Sequence, residues 1–199
     1  ISIHLASTIS GFVSSLDSIK NEIEGLNVYV YDSEITVRLM GSLVLEAARM
    51  AREGQEPASI LERLNQLRST FGEYFIVDDL QNLVRGGRLS NASAFIGGLL
   101  KIKPILTFND AHEIVAFEKV RSTKKALARV EELFAKSKEN LDYPIRAIII
   151  HANDEPAALK WQEKLQTKYP DLPIDISYFG PVIGAHLGEK ALALAWLED

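Results

Sequence analysis

The chain has 199 residues, 47% of them hydrophobic and 25% charged, with a formal net charge of −5, an ordinary balance for one large or two small globular domains. The acidic balance argues against wholesale neutralisation of nucleic-acid phosphates. With no cysteine, disulfides, thiol catalysis and cysteine-ligated metal are excluded, and a reducing compartment such as the cytoplasm fits.

In chain order, Ile1 to Ala6 reads as a strand already inside a domain. It carries neither an initiator methionine nor the basic start of a signal peptide, so a preceding amino-terminal portion is expected. The strand runs into the hydroxyl cluster Ser7-Thr8-Ile9-Ser10-Gly11. Phe12, Leu16, Ile19 and Ile23 then recur at helical spacing, with Gly25 as terminator. Val28 to Tyr31 is a second strand, with Asp32-Ser33 at its carboxyl end. Met40 to Arg52 is a helix with Leu43, Ala47, Met50 and Ala51 on one side, and Pro57 opens another with the stripe Ile60, Leu61, Leu64, Leu67 and Phe71. Alternating strands and helices predict an α/β domain with a parallel sheet.

The rhythm changes after Gly72, where a domain boundary is expected (residues 1–72 and 73–199). Tyr74 to Val77 is a strand, and Asp79 caps a short helix ending at Gly86-Gly87. Ser90 or Asn91 caps a further helix through Ala94, Phe95 and Leu99. Strands Pro104–Phe108 and Glu113–Phe117 form a hairpin across Asn109 to His112. Ser122 or Thr123 caps a long helix carrying Ala126, Val130, Leu133 and Phe134. Strands Arg146–His151, Ile174–Tyr178 and Ala191–Trp196 follow, with a helix from Glu155 to Tyr169 between the first two. This half predicts a mixed or antiparallel sheet covered by helices. No apolar run approaches the ~18–20 residues that span a bilayer as a helix.

Four segments could carry chemistry. The Ser7–Gly11 turn offers hydroxyls and free N–H groups to an anion, although serine and threonine also cap helices with no ligand present. It lacks the Gly-Lys-Ser/Thr of a P-loop and the Gly-x-Gly-x-x-Gly of a dinucleotide site. In Leu83 to Ser90, Gly86-Gly87 demands a sharp turn or a close approach. Arg88 beside it suits a carboxylate or phosphate, or a salt bridge to Asp78 or Asp79. In Phe179 to Gly188, three glycines and a proline frame His186 in what reads as an apolar loop between strands. That imidazole is a donor to an oxyanion or a buried histidine bonded to a carbonyl. The basic group Lys119, Arg121, Lys124 and Lys125 reads as a solvated face or a docking patch. His4, His112 and His151 share no metal-ligand spacing, and no metal site is expected. Pairing Ser7 or Ser10 with His186 would make a serine acyl hydrolase, but no Gly-x-Ser-x-Gly elbow is present.

Together these segments resemble the DegV family of bacterial fatty-acid-binding proteins. The matching pieces are Ser7 to Gly11, Asp32-Ser33, Tyr74 to Leu80, Leu83 to Ser90, Gly98 to Ile105, Lys119 to Ala126 and Gly180 to Gly188. The resemblance implies a partial Rossmann-like parallel α/β domain over residues 1–72. It implies a carboxyl-terminal α/β domain over residues 73–199 that holds the acyl chain. The ligand implied is a long-chain fatty acid, with no cofactor and no catalysis of the protein's own. Its carboxylate would be held at the domain junction by Ser7, Ser10, Arg88 and His186. Candidates for the acyl sleeve are Phe95, Ile96, Leu99, Ile102, Val115 and Phe117. Some members present the acid to a fatty-acid kinase, and Arg121 matches a position implicated in engaging it. Departures from the family pattern are Phe12-Val13 for Thr-Tyr and Glu189-Lys190 for Pro-Gly. The family's amino-terminal segment, with a threonine of the carboxylate site, has no counterpart in the sequence.

Overall fold

The structure is a computed structural model describing residues 1–91 and 103–199. The chain divides into two compact units, Ile1–Phe71 and Gly72–Asp199.

In the first unit, β1 (Ser2–His4) pairs in parallel with β2 (Val30–Asp32), with Ser2 opposite Val30 and His4 opposite Asp32. Between them run α1 (Phe12–Ile19) and a 3-10 turn (Lys20–Glu22). The predicted helix is therefore shorter than its apolar spacing, and none of its residues is buried. Helix α2 (Val37–Arg52) starts three residues before the predicted Met40, and its buried stripe is Leu39, Leu43 and Ala47. Each of these lies one turn after the last, and the row stops short of Ala51, which is exposed in the last turn of the helix. Helix α3 (Pro57–Arg68) begins on its proline, whose fixed φ suits a first turn, and buries Ile60, Leu64 and Leu67. The Tyr31 hydroxyl bonds Asn65 Oδ1 at 3.0 Å, and burial pushes its pKa up to about 12.

The second unit holds a six-stranded sheet in the order β5-β4-β3-β8-β6-β7. Its strands are β3 (Gly72–Ile76), β4 (Lys103–Phe108), β5 (Ile114–Val120), β6 (Ile145–His151), β7 (Ile174–Tyr178) and β8 (Leu192–Glu198). Only β6 and β7 run parallel, bridged by α6 (Glu155–Lys168); the other pairings are antiparallel. The hairpin turn is built by Asn109, whose Oδ1 accepts from the N–H groups of Ala111 and Glu113 at 3.0 and 2.9 Å. Helix α5 (Thr123–Glu139) is capped by the Ser122 hydroxyl, which accepts from Lys125 N–H at 3.3 Å.

The last strand, β8, enters the middle of the sheet, and its alternation separates the two faces. Leu192, Leu194 and Trp196 join Ile76, Ile105, Ile149, Val130, Phe134 and Trp161 in one core beneath α5 and α6. Beneath those helices Glu131 is also buried. Its carboxylate accepts from Trp161 Nε1 at 2.9 Å and from Lys164 Nζ at 2.8 Å, so its burial is paired. Gly72 leaves the room that the Trp196 indole fills: a side-chain carbon there would lie 2.2 Å from the ring. Phe75, Leu106, Ala116, Ile148, Ile150, Ala193 and Ala195 point to the opposite face and are buried outside that core.

Two more helices complete the unit, α4 (Gln81–Arg85) and α7 (Gly180–Leu187). The second corrects the sequence reading, which took Phe179 to Gly188 as a loop. Pro181 sits in the first turn and Gly188, at φ 77°, ends the helix. Its glycines lower helix propensity by roughly 1 kcal/mol each, and packing against α4 overrides that preference.

Candidate functional site

The site begins at the end of α4. Asp79 Oδ1 accepts from Gln81 N–H at 2.8 Å and starts the helix, as its position predicts. Five residues later the helix is stopped by a paired set of bonds: Gly87 N–H to Val84 O at 3.1 Å and Arg88 N–H to Leu83 O at 3.1 Å. This closure needs a left-handed residue just past the helix, and Gly87 has φ 65°. Beyond it Leu89 is buried. Ser90 N–H then donates to Ile114 O at 3.0 Å. The Asn91 carboxamide pairs with Ala116 as a strand would, donating to its carbonyl at 3.0 Å and accepting from its N–H at 2.9 Å. The corner that carries Arg88 is thus pinned on both sides.

The second half comes from α7. Phe179 N–H donates to His151 O at 3.0 Å and ties the helix start to the end of β6. His186 lies in the last turn of α7 with its ring against α4: a side-chain carbon built on Gly86 would lie 2.9 Å from His186 Nδ1. One turn earlier, Asn82 approaches Gly188 so closely that a side-chain carbon there would lie 2.6 Å from Asn82 Nδ2. Arg88 Nη1 donates to the Gly86 carbonyl. The guanidinium and the imidazole therefore both meet at Gly86. Of the two carboxylates considered as salt-bridge partners of Arg88, Asp78 and Asp79, Asp78 is ion-paired with Lys103. Arg85, the other arginine of the motif, is exposed and donates to Asn82 Oδ1 at 3.0 Å. Of the two, Arg88 is the one that turns into the corner. Two cationic or neutral N–H donors of different shape at one helix end suit an anionic oxygen pair.

Ser7 and Ser10 belong to the first unit. Ser7 N–H donates to both Asp32 carboxylate oxygens at 3.2 Å. Ser10 Oγ accepts from Phe12 N–H at 3.3 Å and so acts as a turn cap. The side chain of Ser7 is exposed. Arg88 and His186 stand in the second unit and come together there.

Four of the acyl-sleeve candidates, Phe95, Ile96, Leu99 and Ile102, lie outside the described residues. Val115 is partly buried. Phe117 is 49% exposed, with its ring 5.5 Å from Tyr74 on the α5 side of the sheet. The cause is a register shift between Ile105 and Leu106, which leaves Phe117 without a partner across the strand pair. Arg121 is exposed at the turn between β5 and α5, beside exposed Lys119, Lys124 and Lys125.

Sequence reasoning missed three residues of this corner. Asn82 and Gly188 meet only through the packing of α4 on α7, and no local pattern announces a contact across so many residues. The Asn91 side chain pairs with Ala116 on β5, and the helix that Ser90 or Asn91 is expected to cap lies outside the described residues. Among the described residues no group of three His, Asp or Glu could hold a metal ion, and no helix is long and apolar enough to cross a membrane.

The model of the family described as "Uncharacterised protein, DegV family" matches residues 1–199. A DegV domain-containing protein of Listeria monocytogenes is 47% identical over 196 residues, which cover 98% of this chain and 69% of the relative. The crystal structure of DegV from Bacillus subtilis, described as a fatty acid binding protein, superposes with a TM-score of 0.87 at 46% identity. It covers 99% of this chain and 70% of that one. A fatty acid binding DegV family protein of Streptococcus agalactiae gives a TM-score of 0.87 at 35% identity, over 100% of this chain and 71% of its own. With the family's motifs in order along its length and its fold matched over nearly every residue, the chain belongs to the DegV family.

Proposed function

We propose that this protein is a carrier for a long-chain fatty acid, without catalysis of its own. The observation that carries the reading is the convergence of Arg88 and His186 on Gly86 at the end of α4. A carboxylate taken from water needs several donors, since an unpaired buried charge is strongly disfavoured. Guanidinium and imidazole supply them without a metal. Residues 1–72, as the remainder of the amino-terminal domain, add Ser7 and Ser10 to the head-group site. Residues 73–199 form the domain that takes the acyl chain.

The chain is assigned to the sheet face opposite α5 and α6. There Ala116, Ala193 and Ala195 stand where bulkier side chains would fill the space, flanked by Phe75, Leu106 and Ile150. Affinity comes mainly from the hydrocarbon. At about 0.8 kcal/mol per buried methylene, a fourteen-methylene chain contributes roughly 11 kcal/mol before ordering and association costs. The polar corner then fixes which end enters. The same donors accept an acyl phosphate, so the bound acid could be handed to a fatty-acid kinase, with exposed Arg121 on the docking side.

Mass spectrometry of the gently purified complete protein tests the reading. A co-purifying acid of roughly C14–C18 is expected, a size set by ordinary ligand cavities. Repeated recovery of empty protein that also fails to bind added acid would overturn it. Labelling by a serine-directed fluorophosphonate, lost on Ser7→Ala or Ser10→Ala, would replace the carrier with a hydrolase.

A further inference from the structure

Two adjacent glycines end α4, and they meet different demands. Gly87 has φ 65° and open space around its α-carbon, so it is required by the backbone. Gly86 has φ −74° and ψ −8°, a conformation any residue adopts. Nothing in its backbone calls for glycine. A side-chain carbon there would meet the His186 ring most closely, with Nδ1 at 2.9 Å, and the Asn82 carbonyl oxygen of its own helix at 3.0 Å. A short helix that could gain up to about 1 kcal/mol from alanine there carries glycine instead.

We propose that Gly86 is a positioning residue: its missing side chain is the seat of the His186 imidazole, which it sets with Nδ1 inward and Nε2 as the donor presented to the ligand. The proposal rests on the carrier reading for the identity of that ligand. The seat is braced from both helices. Asn82 packs on Gly188 one turn away, and the Arg88 guanidinium closes on the Gly86 carbonyl. With Nδ1 turned toward Gly86, Nε2 is the ring nitrogen left to meet a carboxylate oxygen. Loss of the seat leaves the fold intact and turns this donor away.

Gly86→Ala in the complete protein tests the assignment, alone and combined with His186→Ala. Thermal stability should be unchanged or slightly raised. Affinity for a C16 acid should fall about tenfold, the loss of one hydrogen bond to a charged group. In the His186→Ala background the glycine substitution should cost nothing further. Long-range 1H–15N correlation spectra of the His186 ring provide a readout independent of binding. The Nε2–H form should dominate in the natural sequence and lose that dominance in Gly86→Ala. An unchanged ring signature, or an equal loss of affinity with and without His186, would overturn the proposal. If the natural protein binds no acid but the ring signature still shifts, the seat stands and the carrier reading falls.

Discussion

The two faces of the six-stranded sheet are built to opposite specifications. Beneath α5 and α6, β8 presents Leu192, Leu194 and Trp196, which interlock with Phe134 and Trp161 at near-zero exposure. On the other face the same strand presents Ala193 and Ala195, with Ala116 on β5 in the same inward orientation. One face spends its volume on protein side chains. The other carries small side chains, and it is the face proposed for the acyl chain. If the proposed carrier takes its ligand on the alanine face, stability and binding are divided between the two faces, and mutations should separate in the same way.

The largest effect should come from the packed face. Phe134→Ala, at 0% exposure and 5.2 Å from the Trp196 ring, should cost about 3–5 kcal/mol in urea unfolding. Any surviving folded protein should bind acid as before. On the alanine face, Ala193→Phe should lower affinity for the acid at least about tenfold, while its stability cost should stay within the ~1–3 kcal/mol of ordinary overpacking. Equal acid binding by this variant would place the acyl chain elsewhere. Gly87→Ala forces a non-glycine residue into the left-handed region and should destabilise by about 1–2 kcal/mol, whereas its neighbour Gly86 should tolerate alanine. Asn91→Ala removes the two bonds that pin the corner to β5, and about 1–2 kcal/mol is expected from denaturation. Arg121→Ala, being exposed, should change neither stability nor acid binding measurably, and would register only in a kinase assay.

Much of this division could be read from residue order. The alternation of strands and helices, the Asn109 turn and the Ser122 cap all follow from local pattern and appear where expected. The Gly86-Gly87 break was legible as a turn or a close approach, and it is both, one at each glycine. Helix α7 was not legible, because three glycines and a proline speak against a helix until α4 packs on it. Nor was the direction of Phe117, since a register shift in one strand reverses the alternation that assigns faces. The contact of Gly86 with His186 had no signal at all in local sequence. It is a product of topology, which brings the ends of two helices together after β7 and β3 have been placed in one sheet.

The most direct measurement compares a C16 acid with the corresponding C16 alcohol by titration into the complete protein, natural and Arg88→Ala. Both ligands carry the same hydrocarbon, so only the head-group site, with the corner at Gly86 as its charged part, can tell them apart. The acid should bind at least about tenfold more tightly than the alcohol, as expected for charge-assisted bonds, and Arg88→Ala should erase most of that preference. Equal affinity for acid and alcohol in the natural protein would contradict the account.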